Sequence, residues 1–153
     1  MKSIKENVNN SIIINKSEFI CDLIKINDFD DIKIEYENIK SKYKEATHYC
    51  YAYIFEDKQK SSDDGEPGGT AGLPIIDTLN KQELDHILCV VTRYFGGIKL
   101  GAGGLIRAYR KAVLEALKKV DYSTLQNGYE ITIEISYDKQ KELENLIELA
   151  SSV

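Results

Sequence analysis

Apolar residues along this chain follow two rhythms, and the switches between them mark its elements. Ser11 to Ile14 and Glu18 to Ile24 flank the polar Asn15-Lys16-Ser17 and read as a hairpin or as two short strands. Phe29, Ile32, Tyr36, Ile39 and Tyr43 then recur every three or four residues, which is one face of a helix. Asp28 and Asp31 fall in its first turn, where negative charge suits the exposed backbone N–H groups. Alternation returns from Ala46 to Phe55. Tyr49, Tyr51, Tyr53 and Phe55 face one way and His48, Cys50, Ala52 and Ile54 the other, so this strand has an aromatic side and a small-residue side.

Glu56 to Gly69 is polar and reads as a loop, after which Thr70 can cap a helix over Ala71 to Leu79 with Gly72 and Pro74 in its first turn. His86 to Phe95 is the most apolar run and is read as the central strand of a sheet, with His86 exposed at its entrance. Leu105, Tyr109, Ala112 and Ala116, with Ile106, Val113 and Leu117 beside them, predict a helix to about Lys119. Asp121 to Gly128 is a polar connection, Tyr129 to Tyr137 alternates as a strand, and Lys139 to Ala150 has helical spacing. A lone strand and helix close no core, so this pair either packs on what precedes it or opens a further domain. The expected organisation is a domain over 1–120, a linker over 121–128, and the first strand and helix of an incomplete domain over 129–153.

Composition narrows the class. The 153 residues are 42% hydrophobic and 29% charged, with no eighteen-residue apolar window, which predicts a globular chain without a membrane span. The N-terminus lacks an apolar stretch followed by a small-residue cleavage site, so a cytoplasmic location is expected. Three cysteines, Cys21, Cys50 and Cys89, sit within apolar segments at spacings unlike a zinc knuckle or redox pair, and read as core thiols. Charge is uneven: Arg93 to Lys119 carries +6 while the whole chain is −5, leaving −11 elsewhere.

That basic segment contains the run Arg93-Tyr-Phe-Gly-Gly-Ile-Lys-Leu-Gly-Ala-Gly-Gly-Leu-Ile-Arg107, which joins the central strand to a helix. Gly96 and Gly97 permit a tight turn, and Gly101, Gly103 and Gly104 permit positive φ or close backbone approach. A glycine-rich helix entrance presents N–H groups to an anion, and Lys99, Arg107, Arg110 and Lys111 add charge, so phosphate or nucleic-acid contact is one reading. The other is that the glycines shape a turn and the cations form a solvated face. Neither Gly-x-x-x-x-Gly-Lys-Ser/Thr nor Gly-x-Gly-x-x-Gly is present. The arrangement resembles the helix entrance of galactokinase-type and homoserine-kinase-type enzymes, without their serine-rich continuation. Tyr94 and Phe95 beside Arg93 suggest base stacking, but strand alternation turns one of them into the core, leaving at most one platform.

Ser62-Asp-Asp-Gly-Glu-Pro-Gly-Gly-Thr70 is the other candidate site. Asp63, Asp64 and Glu66 are read as binding a hard cation, pairing with Arg93, capping adjacent N–H groups, or remaining solvated. His48 reads as a packed, hydrogen-bonded histidine. His48, Asp63, Asp64, Glu66 and Arg93 are the weak catalytic candidates, and a Cys50–His48 pair lacks an orienting acid that sequence alone can name.

These residues carry a family resemblance. Ser62 to Pro74, Val90 to Leu105 and Arg107-Ala-Tyr109, with Lys16 to Ile20 and Thr47 to Tyr53, are similar to the signature of the YigZ/IMPACT family, also called uncharacterised protein family 0029. The resemblance spans about residues 10 to 118. It implies an α/β (α+β) fold: a two-layer sandwich with a mixed or antiparallel sheet and two main helices, as in the second domain of a small-subunit ribosomal protein and domain IV of the translocation elongation factor. It also implies a ferredoxin-like second domain, of which 129–153 resembles only the opening strand and helix. Eukaryotic relatives restrain a starvation-responsive translation-initiation kinase by competing for its activator. The family's groove is thought to suit nucleic acid. The implied function is therefore a translation-linked regulatory protein binding RNA, the ribosome or a translation-associated protein, without established catalysis and without metal or cofactor. The alternatives are a hydrolase or transferase acting on a phosphorylated small molecule, and a protein adaptor in translational stress regulation. Some relatives are labelled peptidases, a label for which this sequence offers no metal-ligand or nucleophile set.

Overall fold

Alternating runs become strands, and the strands assemble into two antiparallel sheets in a computed structural model that describes residues 1–126 and 129–130. In chain order the elements are β1 (Lys2–Ile4), β2 (Val8–Ile14), β3 (Ser17–Lys25), α1 (Asp31–Lys42), β4 (His48–Phe55), β5 (Lys58–Ser62), α2 (Gly72–Lys81), β6 (Ile87–Tyr94), α3 (Gly101–Leu117), β7 (Tyr122–Gln126) and β8 (Tyr129–Glu130). The larger sheet has the order β2-β3-β6-β4-β5 and the smaller β1-β7-β8. The helix expected over 139–150 and the strand residues after Glu130 lie outside the described residues.

The most apolar run takes the central place. β6 is buried along all but its last residue, because β3 and β4 pair with its edges and helices cover both of its faces. The small-residue side of β4, Cys50, Ala52 and Ile54, packs with Phe19, Cys21 and Leu23 of β3 under α2 and α3. The aromatic side of β4 meets α1, where Ile32 and Ile39 pack with Leu88, Val90 and Phe55. Tyr36 Oη donates to the Tyr49 carbonyl at 2.9 Å, and Tyr49 Oη donates to the Tyr43 carbonyl, fixing the C-terminal end of α1 on that face. Where two layers and two main helices were expected, α1 adds a third layer.

Other differences have local causes. β5, expected as loop, is an edge strand pairing only with β4, so its polar Lys58-Gln-Lys-Ser-Ser62 needs no buried side. Tyr122–Gln126, expected within a linker, is β7, which pairs with β1 from the chain's start. Thr70 does not cap α2: its hydroxyl donates back to the Pro67 carbonyl. Asp63 does so instead, accepting from the N–H groups of Gly69, Ala71 and Gly72 at 3.0, 3.1 and 2.8 Å. His86 is buried, not exposed, its ring 4.5 Å from that of Phe55. All three cysteines are free and buried, as expected.

Candidate nucleic-acid interface

At the end of the sheet where β6 runs into the glycines, the acidic loop folds back on Arg93. Its Glu66 side chain is 3% exposed. Glu66 Oε2 lies 2.8 Å from Arg93 Nη1 and accepts the Tyr109 hydroxyl at 2.5 Å, while Oε1 lies 3.0 Å from Arg93 Nη1 and 3.1 Å from His48 Nε2. The second arginine terminus donates to Ser17 Oγ at 3.3 Å, and His48 Nδ1 stands 2.8 Å from the Asp64 carbonyl. Three separate elements, β4, β6 and α3, thus converge on one carboxylate, which is the form a buried charge takes when both desolvation and hydrogen-bonding capacity are satisfied.

This cluster answers one of the questions left open by sequence. Glu66 pairs with Arg93, whereas Asp63 caps α2 and Asp64 accepts the Tyr49 N–H at 2.7 Å. Burial would raise the Asp63 pKa, but N–H donation from Gly69, Gly72 and Ala71 outweighs it and holds the carboxyl below its ordinary value. Glu66 is also the acid beside His48 that sequence alone could not name. The adjacent Cys50 thiol donates to the Asp63 carbonyl at 3.0 Å, and burial raises its pKa well above the ordinary thiol value. It therefore stays protonated, a poor nucleophile. His48, Glu66 and Arg93 do meet, but both Glu66 oxygens are occupied by protein groups.

Arg93 must be removed from the anion-contact set. It is 5% exposed and its charge is spent on Glu66. The remaining cations stand differently: Lys99, Arg107, Arg110 and Lys111 are all exposed. Among the described residues, Lys99, Arg107 and Arg110 form no ion pair. Gly101, Gly103 and Gly104 lie within the first turn of α3 and not ahead of it. That turn has no side-chain cap and no acidic residue, so its N–H groups and partial positive charge face outward unopposed.

The preceding glycines set the position of this entrance. A Cβ on Gly96 would lie 2.0 Å from the Lys16 carbonyl oxygen, so the run passes against the β2–β3 turn at a distance only glycine permits. Gly97 and Gly101, with φ of 89° and 74°, reverse the chain into α3. Lys16, an exposed cation missed by sequence reasoning, is thereby placed beside the glycine run. Proximity across a turn leaves no periodic signal. Tyr94 is half-buried, its hydroxyl donating to the Lys44 carbonyl at 2.9 Å, while Phe95 lies one residue beyond β6 and is 47% exposed. Neither ring enters the core: the strand ends at Tyr94, so alternation exerts no hold on Phe95.

The fold and this entrance define a class: an α/β domain with a cationic, glycine-rich helix start locked to its sheet by a buried Glu–Arg pair. The Impact N-terminal domain model matches residues 15–117, and the chain belongs to the IMPACT family. It is 47% identical over 121 residues to the IMPACT family member YvyE of Bacillus subtilis, covering 77% of this chain and 56% of that one. It is 35% identical over 139 residues to YigZ of Escherichia coli, covering 88% of this chain and 68% of that one. A crystal structure of a hypothetical protein superposes with TM-score 0.75 at 35% identity, covering 79% of this chain and 61% of that one. The chain thus spans little more than half the length of the B. subtilis relative.

Proposed function

We propose that this protein is a translation-linked binding protein, not an enzyme, and that the entrance to α3 contacts RNA phosphates. The observation that carries this reading is the open first turn of α3, uncapped and free of acids, with Lys99, Arg107, Arg110 and Lys111 exposed around it. Gly97, Gly101 and Gly103 give the phosphates access to backbone N–H groups, while the Gly96 N–H is taken by Ser17 Oγ and Gly104 allows close approach to the turn. Arg93 has a different role: with Glu66 it holds the entrance in place. The link to translation rests on the family, whose eukaryotic members act on translation initiation, and partners of this chain are sought among RNA, ribosomes and translation-associated proteins. The kinship with ribosomal-protein and elongation-factor domains belongs to the same proposal, supported by the antiparallel sheet with α2 and α3 on one face. So does a second unit beginning near residue 129, which rests on the family resemblance alone, since Tyr129–Glu130 pairs with β7 and through it with β1.

Titration of the chain with ribosomes or structured RNA between about 50 and 200 mM salt tests the contact. Binding is expected to weaken steeply with salt, and the Lys99→Glu/Arg107→Glu variant to lower the slope of log K against log salt by about 2. Equal affinity of the variant and the unchanged protein disproves the interface. A partner retained after nuclease treatment and after this double substitution favours the adaptor reading instead.

A further inference from the structure

We propose that Phe95 is a base-stacking platform, and that the ligand of this entrance is single-stranded RNA with unpaired bases. The inference rests on the reading of the α3 entrance as a phosphate-contacting surface and specifies its ligand. Phe95 is 47% exposed at the end of β6, and Ile98, three residues on, is 43% exposed.

The ring is held in a fixed place. The Phe95 N–H donates to Thr47 Oγ1 at 2.9 Å, and the following Gly96 N–H donates to Ser17 Oγ at 3.2 Å, so backbone on both sides is anchored to the sheet. The Arg93 guanidinium carbon lies 5.4 Å from the centroid of Phe95 and 5.4 Å from that of Phe19. That guanidinium is fixed in turn by Glu66 and Ser17. Phe95 therefore rests on a buried, immobilised cation, and little rotamer freedom remains to be lost on binding.

Two exposed lysines lie near this stretch of chain. Lys99 follows four residues later, within about 14 Å even for fully extended backbone, and Lys16 stands beside Gly96. An aromatic surface bordered by exposed cations and open N–H groups matches a nucleotide strand, whose bases stack while its phosphates pair with the cations. A duplex keeps its bases stacked on one another and offers the ring nothing. Charge complementarity favours the polyanion over an apolar protein partner: the run Arg93 to Arg107 carries no acidic side chain, and Glu18 and Glu45 lie on the Tyr94 side of the ring.

The test compares a labelled twelve-nucleotide oligouridine with a twelve-base-pair RNA duplex, both titrated by fluorescence anisotropy into the full chain. Oligouridine is expected to bind more tightly. Phe95→Ala should weaken it roughly tenfold or more, without changing the salt slope or duplex affinity. Lys99→Glu/Arg107→Glu should weaken both ligands. The chain has no tryptophan, so Phe95→Trp supplies a single reporter. It should retain affinity, and oligouridine should quench its emission. Unchanged oligouridine affinity in Phe95→Ala, or unquenched emission in a bound Phe95→Trp protein, overturns the platform while leaving the phosphate surface intact. Loss of effect in the charge-reversal variant overturns the surface itself. Concentration-dependent self-association abolished by Phe95→Ala would assign the ring to a second copy of the chain, and equally overturns the proposal.

Discussion

Glu66 is the residue on which this end of the molecule depends. Its carboxylate receives a guanidinium, a tyrosine hydroxyl and a histidine nitrogen at 2.5 to 3.1 Å. Removing it strands the Arg93 charge in a site that is 5% exposed, and the loss of one partner of a buried pair costs about 3–5 kcal/mol. Glu66→Ala is therefore expected to lower the free energy of unfolding by that amount in urea. Tyr109→Phe keeps the ring edge-on to Phe19 at 5.2 Å and loses only one hydrogen bond to a charged acceptor, about 1.5–3 kcal/mol. Equal losses in the two variants would show that the guanidinium does not depend on Glu66. The residue types were legible in the sequence, which offered Glu66 as a partner of Arg93 among other fates for the acidic loop. Which acid would pair was not, because Asp63 and Asp64 stand close by in the same loop and only the backbone path around Gly65 and Pro67 sorts them.

The glycine run works as an element because its parts have different tolerances. At Gly96 an added Cβ meets the Lys16 carbonyl oxygen at 2.0 Å, and neither strand end can yield without breaking the β2–β3 turn. Gly96→Ala is expected to cost roughly 3 kcal/mol or more, read as a lowered denaturation midpoint. At Gly103 the same atom meets only the mobile end of Arg107, at 3.3 Å, on the exposed side of α3. There Gly103→Ala should be neutral or raise stability by up to about 1 kcal/mol, through the entropy glycine loses on entering a helix. A matching loss at both positions would show that the contact at Gly96 is not the cause. Elements with a buried side announced themselves: α1, β4 and α3 have the apolar periodicity that one-sided packing requires, and β6, buried on both faces, is an apolar run. β5 was not predicted, because an edge strand is held by backbone pairing and leaves its side chains free to be polar; β7, between β1 and β8, was not, because its pairing with β1 joins residues far apart in sequence.

At the scale of the whole molecule, the sheet divides the core into two, and the two halves differ in polarity. Under α1 lies Asp22, 5% exposed, whose Oδ2 has no hydrogen-bond partner among the described residues. Burial pushes its pKa up to about 6 against the opposing influence of Lys42 and the Tyr43 hydroxyl. A carboxyl raised on folding is protonated more readily in the folded state. Its contribution to stability is full below about pH 4 and is lost as pH rises through 6. The Asp22→Asn variant should therefore match the unchanged protein near pH 4 and exceed its stability near pH 7, by up to about 3 kcal/mol. A constant difference across that range would rule out titration of Asp22 as the cause. By itself the sequence determined the family, the helical and strand faces, and the central place of β6, since each of these is written as a local pattern or a contiguous motif. Only the tertiary structure decided that α1 makes a third layer, that Arg93 is buried against Glu66, and that Phe95 faces outward. Those outcomes depend on which distant segments meet, and a pairing across 27 residues of chain leaves no periodic trace in either partner.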